Sequence, residues 1–190
     1  MTSWTAPRTW TTSELVTASI MNTHVRDNLL YLKENVDPTP QCLNTDEVTR
    51  NNGGVAETDL STYLLTAGKL ATDGDKLRMV AWGICAAGAS IKTLKAYFGA
   101  TSVTAWTNNF NGATWKMMAE VVRTSATTQK MHVLAPVLDG ASTHFMYQNY
   151  GTPGETLSGS ITVKTTGQSN SASNEVTQYN FYVEYVPFGS

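Results

Sequence analysis

From about Val55 to the C-terminus, apolar residues recur at every second position in short runs broken by turn residues, and this period constrains the fold more than any other feature. The runs predict strands at Ser61 to Thr66, Leu77 to Ala86, Lys92 to Gly99, Ser102 to Trp106, Trp115 to Thr124, Gln129 to Leu138, Thr143 to Tyr150, Ser160 to Thr166 and Thr177 to Val186. Between them stand turn signals: Asp73-Gly74-Asp75, Asn111-Gly112, Asp139-Gly140, Pro153-Gly154 and Gly167. Short strands at this spacing mean an antiparallel β-sandwich or a barrel. Tyr179, Phe181, Val183 and Tyr185 fall on one face of their run, opposite Gln178, Asn180, Tyr182 and Glu184; Leu94, Ala96 and Phe98 oppose Thr93, Lys95 and Tyr97.

Two runs are apolar on both faces. Met79, Ala81 and Cys85 are backed by Val80, Trp82 and Ile84, and Met117, Ala119 and Val121 by Met118 and Val122. An antiparallel strand of this kind needs cover on both sides. A second sheet supplies one cover, and a neighbouring subunit is expected to supply the other.

Upstream the period is 3.6. Trp10 to Val36 reads as one long α-helix, opened by a capping box of Thr11 and Glu14 with Trp10 and Leu15 as a hydrophobic staple. Ala18, Met21, Val25, Leu29, Leu32 and Val36 form its apolar stripe, opposite Asn22, His24, Arg26, Asp27 and Lys33. Such a helix, ~25 residues and ~38 Å long, gains little stability alone in water, so the stripe must be covered. Stripe and doubly apolar strands together favour a homo-oligomer of cyclic symmetry. The competing arrangement is a monomer whose helix packs across its own sheet. Met1 to Thr9, with Trp4 and Pro7, reads as an anchoring arm, and Asp37 to Gly54, with two prolines and Asn51-Asn52-Gly53-Gly54, as a linker. The expected division is 1–54 for arm, helix and linker, and 55–190 for the β domain.

Charged residues are only 15% of the chain and the formal net charge is -2 without any block of Lys or Arg, which argues against nucleic acid or an anionic membrane as partner. The uncharged stretch from Met79 to Ile91 is interrupted by Gly83 and Gly88 and is too short to span a bilayer. The first residues lack the pattern of a secretory signal, so synthesis in a reducing cytoplasm with Cys42 and Cys85 as free thiols is expected.

Catalytic motifs are missing from the sequence. His24, His132 and His144 have no zinc-ligand spacing with Cys or carboxylates, and neither a metal nor a cofactor is expected. Ser142 and His144 in G-A-S-T-H are too close to work as nucleophile and base without an outside carboxylate. Glu120, Asp139, Glu155 and Glu175 could pair for glycoside hydrolysis only through the fold. No residue is assigned a catalytic role. The loops Thr107 to Thr114, Asp139 to Ser142, Gly151 to Ser158 and Gly167 to Asn174 are rich in Asn, Ser, Thr and Gly, with Trp106, Phe110, Trp115 and Tyr150 nearby, a mixture suited to saccharides.

The segment W-T-T-S-E-L-V-T-A-S-I-M-N-T-H-V-R-D-N-L-L-Y-L resembles an N-terminal motif of tailed-bacteriophage structural proteins, an aromatic, then Gly-Glu, then V-T-A-x-x-M-N-x-x-[IV]-R-D-N-L; Ser13 stands where Gly is usual. L-S-T-Y-L-L-T-A-G-K-L-A-T-D-G-D-K-L-R-M-V-A-W-G, then K-T-L-K-A-Y-F-G-A-T, and the ending I-T-V-K-T-T-G-Q to F-Y-V-E-Y-V-P are similar to phage β-sandwich domains of jelly-roll type that commonly trimerise. The resemblance implies a homotrimeric fibre or spike, made in the host cytoplasm and mounted on the head or tail. The arm would join it to another virion protein, and the jelly roll would project outward toward a host-surface glycan. Trp4, Trp10, Met21, Val25, Leu29 and Leu32 would anchor and trimerise, and Val80, Trp82 and Ile84 would line a subunit interface. No particular loop is singled out as receptor-binding. The alternatives are a capsid decoration or head-fibre protein that stabilises the shell and, in another class, a polysaccharide-degrading enzyme.

Overall fold

The computed structural model describes residues 5–6, 9, 13–30, 40–140 and 142–188. The chain divides into two compact units, the second spanning Pro40–Phe188.

The second unit is built from β1 (Gln41–Asp46), β2 (Arg50–Asn51), β3 (Thr58–Leu65), β4 (Lys76–Cys85), β5 (Lys92–Phe98), β6 (Thr101–Asn108), β7 (Thr114–Ser125), β8 (Thr128–Leu138), β9 (His144–Gly151), β10 (Ile161–Ser169) and β11 (Val176–Val186). The long sheet runs β1-β11-β4-β7-β8-β9, with β2 also on β11, and the short sheet runs β3-β10-β5-β6. Every pairing is antiparallel. With β2 and the β8–β9 hairpin set aside, the remaining strands renumbered in chain order give sheets 1-8-3-6 and 2-7-4-5. That interleaving is the jelly roll. The mainly β sandwich expected from the period of two is therefore the fold, and each of the expected strands forms.

The region expected as linker is a correction. From Gln41 onward it pairs with β11: Gln41 to Asp46 opposite Tyr185 to Phe181, then Arg50 and Asn51 opposite Gln178 and Thr177. It is one interrupted edge strand, and without it the eight-strand jelly roll is incomplete. Its polar composition hid it, because an edge strand half open to water needs few apolar residues.

The inward faces meet in one core that includes Leu60, Leu77, Met79, Leu94, Phe98, Met117, Val133, Phe181 and Val183. At one end of it Trp106, Phe110, Trp115, Phe145 and Tyr147 pack as an aromatic cluster, with Trp106 and Phe110 centroids 5.3 Å apart and Phe110 and Phe145 5.4 Å apart. Gly83 sits beneath this cluster, where a Cβ would lie 2.8 Å from the Trp115 ring and 1.9 Å from the Thr177 carbonyl. No side chain fits at that position.

Strand alternation misplaces one residue pair. The register of β11 shifts between Gln178 and Asn180, so Tyr179 is the extra residue of a bulge and does not share a face with Phe181. The bulge turns Gln178 into the core, where its amide donates to Ser61 Oγ at 2.7 Å and its carbonyl accepts from Thr165 Oγ1 at 2.7 Å. Ser61 Oγ donates in turn to Asp46 Oδ2 at 3.0 Å, and Arg50 Nη1 donates to both Ser61 and Asp46. Burial opposes the charge on Asp46, but hydrogen bonds from Val48 N–H, Arg50 and Ser61 outweigh it and hold the carboxyl below its ordinary pKa.

Two further buried polar residues brace the loops. Asn52 accepts from the backbone N–H groups of Glu175 and Val176 and donates to the carbonyls of Gly54 and Ala172, all at 2.8–2.9 Å. Lys92 is 0% exposed on the core face of β5, and its ammonium donates to the carbonyls of Gly88, Ser90 and Phe110 at 2.9–3.2 Å. A buried charge is tolerated when hydrogen bonds replace its water, and here three carbonyls do so.

In the other unit, α1 (Ala18–Met21) passes into a π turn at Asn22–Arg26, after which 27–30 are again α-helical. The helix begins six residues later than a Thr11 cap would place it, which corrects the expected start. Thr17 is extended and is the N-cap, its hydroxyl accepting from Ile20 N–H at 3.3 Å. Thr11 and Trp10 lie outside the described residues, as do 31–36 of the expected helix, but Glu14 and Leu15 are described and are not helical. Ser13 takes φ 66°, the left-handed region that glycine enters without strain. In the π turn Asp27 N–H reaches back to the Asn22 carbonyl. A turn of more than four residues offsets the drift of an i+4 stripe on an α-helix, so it keeps Met21, Val25 and Leu29 closer to one line.

Asn28, 8% exposed, clips the arm to this helix: its Oδ1 accepts from Thr5 N–H and its Nδ2 donates to the Thr5 carbonyl, each at 3.0 Å. Asn28→Ala removes both bonds. It is expected to free the Thr5 backbone, read as a tenfold or greater rise in amide exchange there, consistent with ~1–2 kcal/mol for two part-buried hydrogen bonds. On the outer face of the short sheet, Glu57 accepts from Lys95 Nζ at 2.6 Å, Tyr97 OH at 2.5 Å and Thr166 Oγ1 at 2.7 Å. Burial opposes its charge, yet these three donors lower the carboxyl from an ordinary 4.5 to about 2. A depressed carboxylate stabilises the fold above its unfolded pKa and loses that contribution as pH falls. In urea melts, the stability gap between the wild type and Glu57→Gln should therefore be full at neutral pH and shrink as pH drops from 4.5 to about 2.

Candidate functional site

The outer face of the long sheet carries the site. Antiparallel pairing brings outward residues abreast in rows, and one row reads Glu184, Arg78, Glu120, His132, Tyr150 across β11, β4, β7, β8 and β9. Arg78 lies 3.4 Å from Glu184 and 3.5 Å from Glu120, and Lys76 lies 3.6 Å from Glu120. The next row is Tyr182, Val80, Met118, Leu134 and Gln148, and beyond it Trp82 neighbours Lys116 while Pro136 neighbours Met146. The face thus grades from a charged row into an apolar field.

Two hollows open on the charged row. One, of about 400 Å³, is lined by Glu120, Lys130, His132, Tyr150 and Thr152 among others. The other, of about 200 Å³, is lined by Arg78, Met118, Glu120, His132 and Leu134. Glu120 and His132 belong to both. Tyr150 is 86% exposed beside the larger one. Among the described residues, Lys130, His132 and Tyr150 engage no side-chain hydrogen bond or ion pair, so their donors face solvent. A third hollow, of about 380 Å³, lies toward the other end of the same strands, against Lys116, Pro136, Leu138, His144 and Met146.

The aromatic residues expected beside the loops separate sharply. Trp106, Phe110 and Trp115 belong to the core, which corrects their assignment to a surface, and Tyr150 alone of the four is exposed. Alternation explains the difference: Trp115 shares the inward face of β7 with Met117 and Ala119, whereas Tyr150 shares the outward face of β9 with Met146. The loops spend much of their polarity on one another. Asp139 accepts from Asn111 N–H, Asn111 from Gly88 N–H and Asn170 from Ile91 N–H, each at 2.9 Å.

The four carboxylates considered for hydrolysis do not converge on one hollow. Glu155 accepts from Ala100 N–H at 2.6 Å, Asp139 braces Asn111, and Glu175 accepts from Ser169, while Glu120 alone lines the two hollows of the charged row. Among the described residues no three His, Cys, Asp or Glu side chains gather as a metal site, and no helix is long and apolar enough to cross a membrane. Cys42 is exposed and Cys85 buried, both free, and burial pushes the Cys85 thiol up to about 12.

Of the residues expected at a subunit interface, Val80, Trp82 and Ile84 do share the outward face of β4, but Val80 is 1% exposed. It is flanked by Tyr182 and Met118, and Trp82 meets the Tyr182 ring edge-on at 6.2 Å. Val80 is thereby covered within its own chain, and Trp82 is what the strand presents. Of the expected anchor residues, Met21, Val25 and Leu29 are all exposed on the helix, Leu29 by 61%, whereas Trp4, Trp10 and Leu32 lie outside the described residues. Glu120, His132 and Tyr150 escaped assembly from sequence because only the strand register makes them neighbours.

No family model and no curated protein matches the chain. Among solved structures it is similar to the CBM2 module of the evolved Dit of Lactobacillus casei BL23 phage J-1, at 6% identity and TM-score 0.36 over 80% of this chain and 98% of that one. It is also similar to arcelin-5, a lectin-like defence protein of Phaseolus vulgaris, at 8% identity and TM-score 0.34 over 77% and 97% of the two chains. Peanut lectin with a 9mer peptide stands at 9% identity and TM-score 0.34, again over 77% and 97%.

Proposed function

We propose that this chain is a non-enzymatic structural protein of a bacteriophage virion, a homotrimeric fibre or spike whose jelly-roll unit is displayed for attachment to the host surface. The observation that carries the reading is the helix stripe: Met21, Val25 and Leu29 stand exposed in one line, on the segment that resembles the phage anchoring motif. Copies of the same helix packed about an axis would bury that stripe, and the neighbouring arm, held by Asn28, would be free to engage a head or tail protein. The apolar field around Trp82, Pro136 and Met146, beyond the charged row, is a second surface that a neighbouring subunit would cover. The dispersal of Glu120, Asp139, Glu155 and Glu175 supports a binding role over a hydrolytic one.

Replacing Val25 and Leu29 together by Asp is expected to reduce the mass in light scattering from three copies of the 20.6 kDa chain to one, with the β circular-dichroism signal retained. An unchanged trimer would remove the helix from the assembly. Gold-labelled antibody against the β unit, viewed on purified particles, is expected at the tail. Label over the head would replace the fibre by a decoration or head-fibre protein, and unlabelled particles would overturn the virion assignment.

A further inference from the structure

The two hollows on the charged row, which share Glu120 and His132, have a chemistry that the apolar field beside them lacks. Met118 and Leu134 line the smaller one, and the polar groups of the two are Glu120, His132, Lys130, Arg78 and Thr152. Tyr150 rises at the rim as an aromatic plate almost wholly in water. Glu120 is held by Lys76 and Arg78 at 3.6 and 3.5 Å, distances that balance its charge and leave its oxygens able to accept more. Among the described residues, His132 and Lys130 add donors without side-chain partners.

We infer that this surface is a saccharide-binding site, in which one pyranose ring stacks on Tyr150 while its hydroxyls bond to Glu120, His132 and Lys130. A pyranose presents an apolar C–H face and a rim of hydroxyls that both donate and accept. The first matches an exposed aromatic ring, and the second matches an acceptor carboxylate set between imidazole and ammonium donors. A polyanion is disfavoured by Glu120 at the centre. An apolar protein surface is disfavoured because it would desolvate Glu120, His132 and Lys130 without replacing their hydrogen bonds. Thr152 and Gly151 line the larger hollow at the end of β9. That the sugar belongs to a host surface rests on the attachment reading; the site itself rests on this geometry.

The test is binding of the full chain to an array of bacterial surface oligosaccharides, followed by saturation-transfer NMR with the methyl glycosides of glucose, galactose, rhamnose and N-acetylglucosamine. At least one probe is expected to bind with saturation reaching its ring protons. Tyr150→Ala should weaken that binding by tenfold or more, and His132→Ala and Glu120→Gln should weaken it as well. Tyr179→Ala, which removes an exposed aromatic from the β11 bulge outside the hollows, should leave it unchanged. Absence of binding to every probe, or binding indifferent to Tyr150→Ala, would overturn the inference. Loss of self-association in Tyr150→Ala without any saccharide bound would also overturn it and assign the face to a second copy. Particles that carry no label would remove the host as the source of the sugar and leave saccharide binding intact. Tail label with no saccharide bound would retain attachment and remove this site.

Discussion

The hydrogen-bonded chain Thr165–Gln178–Ser61–Asp46–Arg50 joins β10, β11, β3, β1 and β2, and the closure of the sandwich depends on it. Three of its members are all but fully buried, so each bond replaces water that is no longer present. The bulge at Tyr179 serves this chain: it turns Gln178 inward between two sheets that meet mostly through apolar side chains. Because Asp46 and Arg50 lie on the interrupted edge strand, the same bonds fix that strand to β11 and complete the jelly roll.

The two outer faces of the sandwich are treated differently. On the short sheet, polar side chains are paired off within the chain: Glu57 takes Lys95, Tyr97 and Thr166, and Lys164 donates to Asp59 at 2.7 Å while lying over the Tyr97 ring. On the long sheet, the ion pairs are long, Lys130 and His132 stand unengaged among the described residues, and Tyr150 projects. A face whose hydrogen-bonding capacity is already used offers little to a ligand. A face that keeps donors, an acceptor and an aromatic plate in water has something to gain by binding.

The hairpin β8–β9 makes that difference possible. It extends the long sheet beyond the eight strands of the jelly roll, setting His132 beside Glu120 on β7 and Tyr150 beside His132. On the inner side the same hairpin contributes Phe145 and Tyr147 to the aromatic cluster and a bond from Asn108 to Tyr147 at 2.7 Å, so its position is held by core packing. The site is therefore mounted on rigid strands, while the Asn- and Ser-rich loops mostly hold one another in place.

The period of two, with its turn residues, determined the sandwich and the inward set Met79, Leu94, Met117 and Val183, because a strand half buried in a sheet cannot hide which positions face the core. The same reading missed β1, whose edge position needs few apolar residues, and placed the helix start too early, because Thr11–Glu14 and Thr17 both carry cap chemistry and the backbone at Ser13 chooses between them. Gln178 and Lys92 were legible only in three dimensions: a bulge inverts one, and carbonyls from two loops neutralise the cost of burying the other. The row Glu120, His132, Tyr150 was likewise decided by the tertiary structure. Alternation gives each residue its face, but neighbours across a sheet are set by register, which arises from the pairing of strands and appears in no single stretch of sequence.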